Sequence, residues 1–312
     1  MDNFFILFIM EKKILIADAH CDTISRIHNT GEFLYKNSGH FDLERAKENN
    51  YALQIFAVWV NPKEESPLKK AQDMIMTYHE ECAKNLDNVS KIRSKWDFET
   101  GKIGTVLAIE GGNILEGNIE NIKIIYDMGV RLMTLTWNGI NALGSGAISE
   151  NPQGLTPFGI EVLHKMEQLG MFIDVSHLCE KGFWDVIKHT KAETPLFASH
   201  SNCQAICAHP RNLTDEQIRA IIKRKGFMGL NLYTPFLGGN NLSQINKHIK
   251  HIIALGGEDV IGFGCDFDGA DELPKGINGI ENIDKIIKRI KNTFGMEITE
   301  KICGKNLLKF FS

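Results

Sequence analysis

The chain has no long apolar run. Its early stretch Phe4-Phe5-Ile6-Leu7-Phe8-Ile9-Met10 falls far short of the roughly 20 residues that span a bilayer. No basic segment precedes it and no small-residue cleavage site follows, so a signal peptide is not expected. A basic excess is missing as well. The 35 Lys and Arg stand against 39 Asp and Glu, for a net charge of −4, which excludes the electrostatic footprint of a nucleic-acid binder. The seven cysteines are odd in number and scattered without a C-x-x-C pair, which fits reduced thiols in a cytoplasm rather than disulfides. Cys203 and Cys207 lie four apart with no second such pair, and read as packing residues. No low-complexity linker marks a domain boundary, and no Gly-rich phosphate turn follows the first apolar segment.

What is there is a series of apolar segments separated by helical patterns. Ile14-Leu15-Ile16-Ala17 ends in Asp18, His20 and Asp22, and Leu53 to Val60 stops at Asn61-Pro62. Six more follow: 104–109, 131–138, 171–175, 195–198, 227–233 and 260–265. Between them, apolar residues at helical spacing predict helices over 67–95, 118–128, 157–169, 180–189, 214–225 and 243–255. Thr214 with Gln217 three residues on has the form of a capping box. Eight strands too apolar for half-exposed sheets, separated by helices, predict a parallel sheet closed into a (β/α)₈ barrel. The reading is one domain over 1–312, with C-terminal helices in 281–310 packed on the barrel.

The strand ends carry the chemistry. Asp18, His20 and Asp22 stand at i, i+2 and i+4 and are expected on one strand face. Glu110 closes the third strand, His177 follows the fifth, His200 the sixth and Asp266 the eighth. In a barrel all of these ends open at one mouth, so His20, Asp22, Glu110, His177, His200 and Asp266 are expected to converge. Three imidazoles and three carboxylates exceed what one catalytic zinc takes, so two metals with a bridging carboxylate are implied. A metal-bridging hydroxide is the expected nucleophile, with Asp266 placed to pass a proton to the leaving group. Asp18, Cys21 and Asp268 are expected to orient the ligands.

The ordered motifs His20-x-Asp22, Glu110-Gly111-Gly112, Ile173-Asp174-Val175-Ser176-His177, Ser199-His200-Ser201, Pro210-Arg211-Asn212 and Gly264-Cys265-Asp266-Phe267-Asp268-Gly269 together resemble the renal (membrane) dipeptidase family of zinc peptidases. The resemblance covers nearly the whole chain. It implies two Zn²⁺ per chain, His20 and Asp22 on one, His177 and His200 on the other, and Glu110 bridging. It also implies that Asp266 handles the proton and that Arg211 holds the carboxylate of a small peptide substrate. Trp137 stands where the mammalian enzymes have a histidine, and with Asn138 and Tyr233 completes the expected substrate-binding set. A cytoplasmic relative without a membrane anchor is expected, and a homodimer is compatible with it. Other dinuclear amidohydrolases, acting on cyclic amides or β-lactams, typically show H-x-H after the first strand and a lysine from the fourth. Here Asp22 follows His20, and 131–138 contains no lysine. A metal-binding protein without catalysis is the remaining alternative.

Overall fold

Among the residues described by the structure, a computed structural model covering 14–94, 97–99 and 101–311, nine strands form one parallel sheet. Residues 4–10, with their apolar run, lie outside the described residues. The strands are β1 (Ile16–Cys21), β2 (Tyr51–Trp59), β3 (Val89–Lys91), β4 (Ile103–Glu110), β5 (Val130–Thr134), β6 (Phe172–Asp174), β7 (Leu196–Ala198), β8 (Phe227–Leu230) and β9 (Ile261–Phe263). The helices are α1 (Thr23–Thr30), α2 (Leu43–Glu48), α3 (Pro67–Lys84), α4 (Glu120–Asp127), α5 (Pro157–Leu169), α6 (Glu180–His189), α7 (Asp215–Lys223), α8 (Thr234–Leu237), α9 (Ser243–Ala254) and α10 (Ile283–Glu300). The sheet runs β2-β1-β9-β8-β7-β6-β5-β4, and β4 pairs back onto β2 over Leu53↔Gly104 to Trp59↔Glu110. That pairing closes the eight-stranded (β/α)₈ barrel. β3 stands outside the ring beside the start of β4, from Val89↔Ile103 to Lys91↔Thr105.

Side-chain alternation divides the apolar residues into two sets. Leu53 and Ile55 of β2, Val106 and Ala108 of β4, and Leu132 of β5 join Ala17, Ala19, Phe197 and Phe227 in an interior cluster. Their alternates, such as Phe56, Leu107, Ile109 and Met133, pack outward against the helices. Leu307 and Phe311 from the C-terminal segment belong to the interior cluster, and Phe311 lies 5.2 Å from the Phe172 ring. The barrel is therefore filled and stoppered from the N-terminal ends of its strands, and only the opposite mouth is left for chemistry.

Helix ends follow local chemistry. Thr214 accepts from the Gln217 amide while the Gln217 side chain accepts from the Thr214 amide, so the predicted capping box is present at α7. Thr156 caps α5 at one end, and Gly170 ends it in the left-handed conformation. One expectation is corrected. The helix from Pro67 ends at Lys84, well before residue 95, because the chain turns at Asn85 to enter β3. The helices expected in 281–310 are present as Ile283–Glu300, broken at Gly295, which is non-helical at φ 80°, and continued over Lys301–Leu308.

Candidate metal and substrate site

The loops leaving the C-terminal ends of the strands bring the six expected groups to one mouth. β1 does so through an irregularity. Its ladder to β2 shifts between Asp18 and Cys21, which turns His20 inward after the interior residues Ala17 and Ala19, and Asp22 becomes the N-cap position of α1. The expectation that Asp18 shares a face with His20 and Asp22 is thus wrong. Asp18 is fully buried, and its Oδ1 accepts from the His20 and Cys265 amides, at 3.1 and 3.0 Å. It stitches β1 to the end of β9 and fixes the backbone of His20 rather than joining the cluster.

Glu110, the last residue of β4, lies at the centre. Its Oε2 is 3.8 Å from His20 Nε2, and its Oε1 is 2.9 Å from His177 Nε2 and 3.4 Å from His200 Nε2. Asp22 Oδ2 and Asp266 Oδ1 approach His20 Nε2 from the other side, at 3.3 and 3.8 Å. His177 and Asp266 hold left-handed backbones, φ 65° and 62°, a conformation uncommon outside glycine that recurs at functional sites.

The hydrogen-bond network settles what these atoms offer. His177 Nδ1 lies 2.8 Å from Asn138 Oδ1, an acceptor, so it carries the proton and leaves Nε2 as a lone pair. The two Nε2 atoms of His177 and His200 are 2.8 Å apart. Burial, with Arg211 and His20 next, holds the His177 imidazole well below its usual range, and burial with His20, His177 and Arg211 does the same to His200. Burial also disfavours charge on His20, but Glu110, Asp22 and Asp266 outweigh it and raise its pKa to about 10. Burial, then Asp22, pushes the Glu110 carboxyl well up. Inside this cluster His20 Nε2 and Asp22 Oδ1 are buried without a hydrogen-bond partner. Opposed lone pairs, crowded carboxylates and orphaned nitrogen and oxygen donors together demand positive charge. His20, Glu110 and His200, and separately His20, Asp22 and Asp266, present ligand atoms within 4.8 Å of one another. The donors are those that suit a divalent ion such as zinc.

Asp266 is raised to about 6 by burial, with His20 pulling the other way. Its Oδ2 accepts from Asn231 Nδ2 at 2.9 Å, and Asn231 is locked to Asn202 by bonds of 3.1 and 2.9 Å. Asn231 was missed in the sequence because an asparagine in an apolar segment has no visible partner there. Asp268 is occupied elsewhere. It accepts from Thr23 Oγ1 at 2.6 Å and from the His40 amide at 2.7 Å, which anchors the loop after β9 to two neighbouring segments. Cys21 is buried, and its thiol is pushed well up by burial, so it is unfit as a nucleophile.

A cavity of about 580 Å³ opens over the cluster and is lined by Asp22, Glu110, His177 and Asp266 together with Trp59, Trp137, Asn138, Tyr233 and Phe236. Trp137 follows β5 in a loop rather than ending a strand, and its ring lies 5.1 Å from Trp59 and 6.2 Å from His177. Arg211 is buried and stands behind Phe236, with its guanidinium 5.3 Å from that ring and its Nη2 donating to the His200 carbonyl at 2.9 Å. Its Nε–H has no partner. It borders a second cavity of about 340 Å³ rather than the larger one. Burial lowers its pKa to about 10, and Asp266 and Glu110 act against that shift.

Comparison with known proteins gives concordant findings. The model of the family described as membrane dipeptidase (peptidase family M19) matches residues 5–312. An uncharacterized protein in the pqqA 5′ region of Klebsiella pneumoniae is 35% identical over 231 residues, 68% of this chain and 84% of that one. Among solved structures, the metallopeptidase dipeptidase AC superposes with a TM-score of 0.88 at 26% identity, over 96% of this chain and 98% of the other. A metallopeptidase from Rhodobacter sphaeroides, liganded with a phosphinate mimic of the dipeptide L-Ala-D-Ala, gives 0.87 at 25% identity, over 96% and 100%. Among the described residues, no helix is long and apolar enough to cross a membrane.

Proposed function

The chain belongs to the membrane dipeptidase family, peptidase family M19, and from that membership and the geometry of the mouth we propose a dinuclear zinc dipeptidase that hydrolyses the peptide bond of short peptides. The observation that carries the dinuclear reading is the position of Glu110, whose two oxygens face His20 on one side and the His177–His200 pair on the other. His20 and Asp22 would hold one Zn²⁺, His177 and His200 the second, and Glu110 would serve both. When bound, such ions supply Lewis acidity toward the scissile carbonyl and bring the pKa of an attacking water toward neutrality.

The remaining steps belong to side chains. Asp266, raised to about 6 and tethered at one oxygen by Asn231, takes the proton of the attacking water and delivers it to the departing amine. A carboxyl group whose burial favours its protonated form suits both halves of that transfer. Arg211 is the buried cation whose field reaches both Glu110 and Asp266; although it borders the second cavity and not the one over the cluster, it is assigned to the C-terminal carboxylate of the substrate. Tyr233 and Trp137 form walls of the cavity, and the indole N–H offers one donor to the developing oxyanion. Asn138 orients His177 in addition to lining the cavity.

The test combines metal content with hydrolysis. Protein stripped of metal and reloaded with zinc is expected to bind two ions per chain and to cleave members of a dipeptide library. The library includes D-residues at the C-terminal position, because the Rhodobacter structure holds an L-Ala-D-Ala mimic. A ratio that never exceeds one ion defeats the dinuclear reading, and loaded protein that cleaves no dipeptide defeats the dipeptidase reading.

A further inference from the structure

Behind the mouth lies a buried carboxylate that the mechanism does not use. Asp174, the last residue of β6, is fully buried. Its Oδ1 accepts from the amides of Ser176 and Ser199, at 3.0 and 2.9 Å. Its Oδ2 accepts from the hydroxyls of Thr134 and Ser199, both at 2.6 Å. Four donors from three adjoining strands and their loops therefore converge on one carboxylate, far more than stitching the sheet requires. The Ser199 hydroxyl has one hydrogen, and it is committed to Asp174. What Ser199 offers to His200 Nδ1, 2.7 Å away, is consequently a lone pair. Nδ1 must carry the imidazole proton, and Nε2 must face Glu110 and His177 unprotonated.

We propose that Asp174, acting through Ser199, is the positioning residue that fixes the tautomer and aim of His200 and makes it a stronger metal ligand. The proposal rests on the reading of His200 as a ligand. A histidine ligand backed by a carboxylate gains basicity and loses rotational freedom, and removing such a partner typically costs 10–100-fold in metal affinity. Here the carboxylate is one hydroxyl removed, so a short side chain on a neighbouring strand reaches an imidazole that the aspartate cannot. The contrast with His177 is direct. That ring is backed by the neutral amide of Asn138, so the two histidines assigned to the same ion are supported unequally, and His200 is the stronger anchor.

The experiment measures metal affinity rather than turnover. Chelator competition with zinc, and the visible absorption of the Co²⁺-loaded protein, are recorded for wild type, Ser199→Ala, Thr134→Val and His200→Ala. Thr134 donates to the same Asp174 oxygen but touches no imidazole, so it reports what the cluster contributes to the fold alone. Ser199→Ala is expected to weaken one of the two ions by about 10–100-fold and leave the other unchanged. Thr134→Val should leave both, and His200→Ala should lose the ion that Ser199→Ala weakens. Wild-type affinity in Ser199→Ala alongside loss in His200→Ala overturns the relay while leaving the metal site standing. Equal weakening in Ser199→Ala and Thr134→Val overturns it too. Two ions retained by His200→Ala overturns the metal reading itself, and the relay with it. Should Ser199→Ala fail to fold, the ¹⁵N shifts of the wild-type imidazoles decide. A proton on His200 Nδ1 in the zinc-loaded protein is required, and its absence there refutes the proposal.

Discussion

Replacing Gly269 by alanine should weaken the ion proposed on His20 and Asp22 without unfolding the protein. Gly269 stands three residues past Asp266, and its backbone is one that alanine adopts without strain. A Cβ built there, however, falls well inside 3.0 Å of both Asp22 Oδ2 and Asp266 Oδ1. Each oxygen would have to retreat by roughly half an ångström or more to reach even that limit, whereas metal–ligand distances tolerate only about 0.2 Å. The carboxylates can move, because they are side-chain ends, but not while both keep their aim at the region of His20. We therefore expect affinity for the ion on His20 and Asp22 to fall by at least the 10–100-fold seen when a supporting partner is lost. The metal-free protein should keep its stability to within about 1 kcal/mol, the usual size of a tolerated Gly→Ala change. Gly264→Ala supplies the contrast, since its Cβ would collide with the Ser199 backbone carbonyl, which has no such freedom, so there the fold itself should lose 1–3 kcal/mol or more. Chelator competition and thermal melts of the metal-free proteins measure the two quantities separately. Unchanged zinc affinity in Gly269→Ala would refute the claim that this glycine keeps the carboxylates in place.

Four further expectations follow from the same geometry. Asp266→Asn should retain both ions yet lower kcat by roughly 10²–10⁴, the usual worth of a general acid or base, and steady-state turnover at measured metal content checks it. Arg211→Ala should slow hydrolysis of free dipeptides far more than of C-terminally amidated ones; equal losses would make it a residue of the fold. Trp137→His should reorder substrates across the dipeptide library at constant zinc content, since Trp137 lines the cavity beside His177, and an unchanged ranking would remove it from substrate binding. His248 is buried, with Nδ1 accepting from the Cys203 amide, and burial lowers its pKa from 6.5 to about 4. The unfolded chain then binds the extra proton first, so stability should decline as pH falls from about 6.5 to about 4, by up to about 3 kcal/mol at 1.36 kcal/mol per pKa unit. Urea unfolding across that range should show a flatter decline for His248→Gln.

The barrel was legible because its strands are nearly continuous apolar runs whose ends change abruptly to acids and histidines, and a parallel barrel gathers all such ends. Its failures of reading have physical causes. Val89-Ser90-Lys91 is too short and polar to announce a strand; it exists because its backbone completes the edge of β4. Asp18 has the spacing of a ligand, but an irregularity in the β1 ladder reverses the faces beyond it, and no local residue preference marks that shift. The motif Pro210-Arg211-Asn212 gave no sign that Phe236 would lie against the Arg211 guanidinium. Asn231 reaches Asp266, and Asp174 reaches Ser199 and Thr134, through hydrogen bonds across 25 to 40 residues of sequence. Only the closed sheet brings those partners to one layer.

The strained loops hold this crowded cluster in one arrangement. His177 and Asp266 occupy left-handed backbones at a cost of order 1–3 kcal/mol each, and each is held there by main-chain bonds. The Ala147 amide donates to the His177 carbonyl at 2.7 Å, the Asp266 amide to the His20 carbonyl at 3.2 Å, and the Ala270 amide to the Asp266 carbonyl at 2.7 Å. The side chains are over-determined in turn, by Asn138 on His177, Ser199 on His200 and Asn231 on Asp266. With each of these three side chains tethered by a partner outside the cluster, little conformational freedom remains to be lost when ions enter. The crowding of three carboxylates around His20, and of the facing His177 and His200 nitrogens, is then a property of the fold itself. Under the proposed dinuclear reading, divalent charge at the mouth would relieve that crowding, so the same arrangement becomes affinity for metal.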